Sequence, residues 1–429
     1  KTLISVSGRL DLSQGTLLVP PLAWSKPAGV GGDLQFVLQP ARDGGFNVDA
    51  LDFSIKGFDA RGQAEFGPSF AVKTLNLDRL TYGETDVSLT LVRTEDNGFE
   101  IVVRGSSYDL RPNLEAEEAA DSSPADEETG PPITIQARLD KMIIGDNQVL
   151  GNVAVSARHT GKLWQEAEIQ GVFGADQPLT MTLTSNAGLR NLTFISNDAG
   201  SVGRALGIYK NANGGKLTLT AQFDDLKLGR PVTGRLLIDD FRVVNAPLMT
   251  RILTIGSLSG ILNLLQGEGI KFKRLDSEFS YENKVLKVHN ARAFGSAVGF
   301  NLEGSLDNKT KFADFSGTVV PAYTVNTVLG KVPMLGDLLL GGKGEGVFAI
   351  TYAIKGPLEK PRVTVNPLSA LAPGFLRGIV SILTPKPSAP IAPAPESSPK
   401  LTPEPMAAPS PGPENAIVPE TISVPVAEP

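Results

Sequence analysis

Few residues in this chain are placed to do chemistry. It holds two histidines, no cysteine, and two Asp-Asp pairs, Asp224-Asp225 and Asp239-Asp240. His159 stands at a strand end beside Thr160-Gly161, and His289 lies within a strand-like run. Imidazole titrates near neutrality and serves as acid, base or metal ligand. A lone histidine is nonetheless far more often a solvated or satisfied side chain. Two adjacent carboxylates in a strand point to opposite faces, so both Asp pairs read as turn or strand-edge residues. The run Gly341–Gly346 (GGKGEG) has the wrong spacing for a phosphate loop or a dinucleotide fingerprint and reads as a flexible turn before a strand. No nucleophile elbow and no zinc-binding His-Glu-x-x-His motif occurs. Without cysteine, thiol catalysis, disulfide frameworks and Cys-rich zinc sites are excluded. The expectation is a protein with no catalytic residue, no metal and no cofactor.

Charge excludes a further class. The formal net charge is -6 over 429 residues. Residues Glu115 to Glu128 hold seven acids and no base, and the tail Pro385–Pro429 is net -3, so the remaining body is slightly basic at +4. No Lys/Arg cluster with interleaved aromatics appears, which argues against nucleic acid as a partner. The tail carries 14 of the 32 prolines and is expected to be extended and disordered. The acidic segment 115–132 is expected to be a disordered insertion.

The elements that organise the chain are strands. Period-two alternation dominates. It is clearest at Phe348, Ile350, Tyr352 and Ile354, and recurs at Leu217, Leu219, Ala221 and Phe223 and at Val298, Phe300 and Leu302. The same pattern marks Val87–Leu91, Ile133–Leu139 and Leu179–Leu183. Around Asp43–Lys56 the parity slips by one residue, which predicts a bulge. Asp43-Gly44-Gly45, Asp96-Asn97-Gly98, Asn213-Gly214-Gly215 and Asp307-Asn308-Lys309 are hairpin-turn chemistries. Many strands at short spacing with tight turns predict antiparallel sheet.

Helical patterns are few. Ser201–Tyr209 fits a short helix. Asn245–Gln266 is the strongest, with Leu248, Ile252, Ile255, Leu258, Leu262 and Leu265 along one stripe, Pro247 in its first turn and Gly267 past its end. Tyr323–Leu340 and Leu368–Leu383, the latter with Phe375 and Ile379, are further apolar stretches. The 245–266 helix is nearly apolar all round, which fits burial against the sheet or contact with lipid. The strand stripes carry the same pair of readings: a sandwich core closed by protein, or a face filled by lipid.

The stretch from Leu189 to Leu383 resembles the C-terminal region of the AsmA-like family (the YhdP/TamB type) of bacterial envelope proteins. The matching residues run in order: Ser196-Asn197-Asp198-Ala199-Gly200, Gly214-Gly215-Lys216-Leu217, and Gly234-Arg235-Leu236-Leu237-Ile238. Asn245-Ala246-Pro247 and the apolar helix follow, then Gly269-Ile270-Lys271-Phe272, Asn301-Leu302-Glu303-Gly304 and Val320-Pro321-Ala322-Tyr323. Pro361-Arg362-Val363-Thr364-Val365-Asn366-Pro367-Leu368 closes the set.

The resemblance implies a long, twisted antiparallel sheet curled into an open, taco-like groove, with a few apolar helices toward the C-terminal end. It implies the periplasm of a Gram-negative bacterium, an inner-membrane anchor on a segment preceding this chain, and phospholipid moving between inner and outer membranes, with envelope proteins as further partners. The expected organisation is a β-groove segment over 1–114, the acidic insertion 115–132, the family-like β-groove 133–367, a terminal apolar helix 368–384 and the tail 385–429. The lining is then Leu217, Leu219, Phe223, Val298, Phe300, Leu302, Phe348, Ile350, Tyr352 and Ile354. The helix residues named above, with Phe375 and Ile379, become groove-end or membrane contacts. A β-solenoid binding or adhesin module is the alternative from another class.

Overall fold

The computed structural model describes residues 5–119, 130–145, 147–321 and 349–366. Phe348, Phe375 and Ile379, the apolar stretches 323–340 and 368–383, the Gly341–Gly346 run and the Pro-rich tail lie outside the described residues.

The described chain is mainly β. The first part comprises β1 (Val6–Asp11), a short hairpin of β2 (Leu17–Val19) and β3 (Trp24–Lys26), then β4 (Gly32–Pro40), β5 (Phe46–Ile55) and β6 (Phe58–Phe66). β7 (Val72–Tyr82), β8 (Thr85–Arg93), β9 (Phe99–Asp109) and helix α1 (Arg111–Ala119) follow. The middle holds β10 (Ile133–Gly145), β11 (Gln148–His159), β12 (Trp164–Phe173), β13 (Gln177–Asn186), β14 (Leu189–Ser196) and α2 (Ala199–Ala205). Then come β15 (Ala212–Asp224), β16 (Val232–Val243), α3 (Pro247–Ile255) and α4 (Ser259–Gln266). The last strands are β17 (Ile270–Glu282), β18 (Val285–Gly295), β19 (Val298–Asp307), β20 (Phe312–Pro321), β21 (Ile350–Pro357) and β22 (Arg362–Asn366).

Apart from the β2–β3 hairpin, the strands form one 20-stranded sheet. β1 pairs with β4, and from β4 each strand pairs with the next in sequence, through to β22. The sheet is not closed into a barrel. Alternation is what makes these strands: in β12, Glu166, Glu168 and Gln170 are exposed while Ala167, Ile169 and Gly171 turn to the other face. Cross-strand ion pairs such as Arg79–Asp86, Arg158–Glu166 and Lys355–Asp314 lace the polar face. Each is well exposed and adds little stability singly.

Several expectations are corrected. The sheet is not antiparallel throughout, because β9 and β10 are parallel, Ile133 facing Phe99 and Ile143 facing Asp109. A parallel pair needs a crossover of a dozen or more residues, and the acidic segment sits in that connection. Its first residues, 115–119, are helical as the second half of α1, where disordered chain is expected. Asn213-Gly214-Gly215 is no hairpin turn. It lies inside β15 with both glycines at positive φ, and a Cβ on Gly215 would come within 2.8 Å of the Phe241 Cβ. The 245–266 helix is broken in two, because Gly256 ends α3 and Ser257 is left-handed at φ 59°. The short helix begins earlier and stops sooner than expected, Asp198 capping it by accepting from the Ser201 amide at 3.0 Å. The expected bulge in β5 is present, where its register to β6 shifts between Val48 and Leu51.

The strand directions sort the connections onto two rims. β1, β9, β14 and β16 all run the same way, so Leu12–Gly31, α1, α2, and α3 with α4 all leave from one end of the sheet. The opposite rim is built from short turns such as Ala187-Gly188 and Asn283-Lys284.

Candidate functional site

The residues with the chemistry of acids, bases and ligands are held by structural partners. His159 Nδ1 accepts from the Gly161 amide at 3.0 Å, and its ring meets Trp164 edge-on. His289 Nε2 lies 2.9 Å from Ser280 Oγ. Asp239 accepts from the Arg274 guanidinium at 2.6 and 3.2 Å, while Asp240 sits at a positive-φ kink of β16. Asp225 takes a bidentate bond from Arg190 at 2.7 and 2.9 Å. Among the described residues, no group of three or more His, Asp or Glu is placed to hold a metal ion.

The feature that dominates the molecule is apolar. Following direct cross-strand partners from β7, Leu77 opposes Leu89, Leu89 opposes Val103, and Val103 opposes Ala137. Ala137 opposes Val155, Val155 opposes Ile169, and Ile169 opposes Met181. The row continues through Phe194 and Leu219 to Leu236 on β16. Ten strands at about 4.8 Å spacing make this row about 43 Å long. Every residue in it is apolar and on one face.

Cover differs between the two ends of the strands. Near the helical rim the same face is sealed: Leu139, Leu150, Val153, Phe173, Leu179 and Leu217 are buried in one cluster with Ala199, Val202 and Ala205 of α2. In the row itself, Leu89, Val103, Val155, Ile169, Phe194, Leu219 and Leu236 are only partly covered. At the far end of β15, Phe223 lies under the Arg190 guanidinium, 4.7 Å from ring centroid to carbon. The side chains of Arg190 and Asp225 are 10% and 12% exposed, so a near-buried ion pair ends the apolar face there.

A second apolar cluster joins α3 and α4 to β16–β22. The helices bury Ile252, Leu253, Leu258, Ile261 and Leu265 against the sheet. A Cβ on Gly256 would come within 2.7 Å of the Ile350 Cδ1, so the glycine lets the end of α3 rest on β21. Arg251 Nη1 donates to the Pro361 carbonyl beside β22 at 3.4 Å. Under α3 lies a cavity of about 380 Å³, lined by Leu248, Met249 and Ile252 from the helix and by Phe300, Leu302, Tyr352 and Ile354 from the sheet, among others. That volume falls within the ordinary range of small-molecule sites. Burial pushes the Tyr352 phenol well above its ordinary pKa, and its hydroxyl donates to the Asn301 carbonyl at 2.7 Å.

The structure thus brings together Phe300, Leu302, Tyr352, Ile354, Leu248 and Ile252 around one cavity. Val298, Ile350, Leu258 and Leu265 are packed away beside it, and Leu262 flanks them. Ile255 is half exposed and turns from the cluster. Leu217, Leu219 and Phe223 share the same face of the sheet but belong to the long row and its ends, not to the cavity. Sequence reading missed Val103, Val155, Ile169 and Phe194. The signal for Ile169 is present, as Glu166, Glu168 and Gln170 mark the polar parity of β12. No protein-family model, curated protein or solved structure matches the chain.

Proposed function

We propose that this chain is a segment of a lipid conduit: the sheet curls into a groove whose apolar face carries phospholipid acyl chains between the inner and outer membranes of a Gram-negative envelope. The observation that carries the reading is the unbroken apolar row from Leu77 to Leu236, left partly uncovered by protein. Apolar area of that length in contact with water is unfavourable, and each CH₂ laid against it regains about 0.8 kcal/mol.

Curling is supported by what α2 touches. Its seven residues pack on β15 and also meet β10, β11 and β16. Such a helix is about 10 Å long, whereas β10 and β16 in a flat sheet stand about 29 Å apart. The same holds for α3, which leaves β16 and reaches β22. The β-solenoid alternative is disfavoured, because it stacks strands in parallel coils and only β9–β10 among the described pairs is parallel.

A photocrosslinking amino acid at Leu219, compared with one at the polar-face neighbour Gln222, tests the reading in cells. Lipid adducts at Leu219 and none at Gln222 are expected. Equal labelling at both positions, or none at either, contradicts it.

A further inference from the structure

We infer that the turn rim between β15 and β22 docks onto an anionic lipid surface. Four neighbouring turns form this stretch: Asp225–Pro231, Asn283-Lys284, Asn308–Lys311 and Leu358–Pro361. Because each joins adjacent strands of one sheet, they sit side by side, spanning about 29 Å from first to last. They carry Lys227, Arg230, Lys284, Lys309, Lys311 and Lys360 against two acids, Asp225 and Glu359. Asp225 is already engaged by Arg190. The residues immediately flanking the turns add Arg362 and three acids, Asp224, Glu282 and Asp307, which leaves seven bases against five acids. Asp224 is bonded to Lys227, Glu282 lies beside Lys227 and Gly229, and Asp307 accepts from the Lys309 and Thr310 amides.

The second observation is apolar and at the same tips. Leu228 is 99% exposed, Leu226 is 76% exposed, and Leu358 and Phe312 stand out from the neighbouring turns. Leucines held in water between lysines gain nothing from the fold. Together they match a surface with anionic headgroups above hydrocarbon, which attracts each basic residue and takes in the apolar tips. Along the same rim the pattern fades: the β8–β9 turn carries Glu95 and Asp96, and the β6–β7 turn carries no charge. The basic character is therefore local to the β15–β22 stretch. No described helix leaves from the β15–β22 stretch of this rim, so lipid crossing it passes the Arg190–Asp225 pair to reach the apolar face. Only that last use rests on the conduit reading; the docking stands apart from it.

Vesicle flotation with the whole chain decides the matter. Vesicles of phosphatidylethanolamine and phosphatidylglycerol should carry the protein upward, and vesicles of phosphatidylcholine alone should not. Lys309→Glu with Lys311→Glu should weaken binding by roughly tenfold or more, and Leu226→Asp with Leu228→Asp should weaken it comparably. Leu206→Asp with Ile208→Asp, exposed on the helical rim, should leave it unchanged, and thermal melts should show all three variants folded. Absence of binding, turn-rim variants that bind like the parent, or equal loss from both rims overturns the inference. Co-purified lipid is measured on the same samples. Vesicle binding without any bound lipid would defeat the conduit reading and leave the docking intact.

Discussion

Gly256 and Ile350 lie so close that a Cβ at position 256 would come within 2.7 Å of the isoleucine Cδ1. The contact joins the end of α3 to β21, although α3 leaves the sheet at β16. It holds the helix across five strand intervals and forms one side of the packing beside the 380 Å³ cavity. Gly256→Val should therefore destabilise the protein by roughly 1–3 kcal/mol through overpacking. Adding Ile350→Ala should recover part of the loss. Denaturant midpoints of the two single variants and the double variant measure this coupling, and simple additivity would place the helix elsewhere.

The Arg190–Asp225 pair should behave as a buried charge pair. Arg190→Met leaves Asp225 near-buried and uncompensated, at a cost of about 3–5 kcal/mol. Arg190→Met with Asp225→Leu should cost less than Arg190→Met alone, because no lone charge remains. A double-mutant cycle reads the difference.

Acid sensitivity should have a traceable source at the end of β9. The Arg111 guanidinium, bonded to Asp109 at 2.7 and 2.8 Å, holds that carboxyl below the usual carboxylate range. A carboxyl with a depressed pKa in the folded state stabilises the fold above the unfolded value. That contribution is fully present at neutral pH and is lost as pH falls below about 4 toward the folded value. Asp109→Asn should lower stability at pH 7 and flatten the fall on acidification, as followed by thermal melts across pH. A parallel shift of the whole curve would show that Asp109 has no part in it.

Leu217 and Leu219 make a paired test of cover on one face. Leu217 is 7% exposed under α2, and Leu219 is only partly covered. Leu217→Glu buries a charge without a partner and should prevent folding or cost several kcal/mol. Leu219→Glu should leave the protein folded. Equal damage from both, by circular dichroism and melting, would mean that the row is core.

Much of this fold was legible from alternation. Phe300, Leu302, Tyr352 and Ile354 fell on one parity, and the structure places them on one cavity wall. The parity slip in β5 was likewise readable as a bulge. What escaped has a local reason. The parallel β9–β10 pair is set by a long crossover, and alternation is the same in parallel and antiparallel strands. Phe194 and Val103 lie in strands where polar and small residues dilute the pattern, so cross-strand register alone reveals their row. The break at Ser257 is tertiary, because Gly256 reads as a tolerated helix glycine until Ile350 is beside it. The distinction between Leu217 and Leu219 depends on α2, which no spacing within β15 reports.

The central claim is that acyl chains, not water or protein, occupy the apolar face. The most direct measurement is mass spectrometry of lipid extracted from the chain purified without added detergent. The account predicts bound phospholipid in the parent and a marked loss in folded Leu219→Glu. Protein that is folded and free of phospholipid, or a Leu219→Glu variant with the parent's full lipid content, would contradict it.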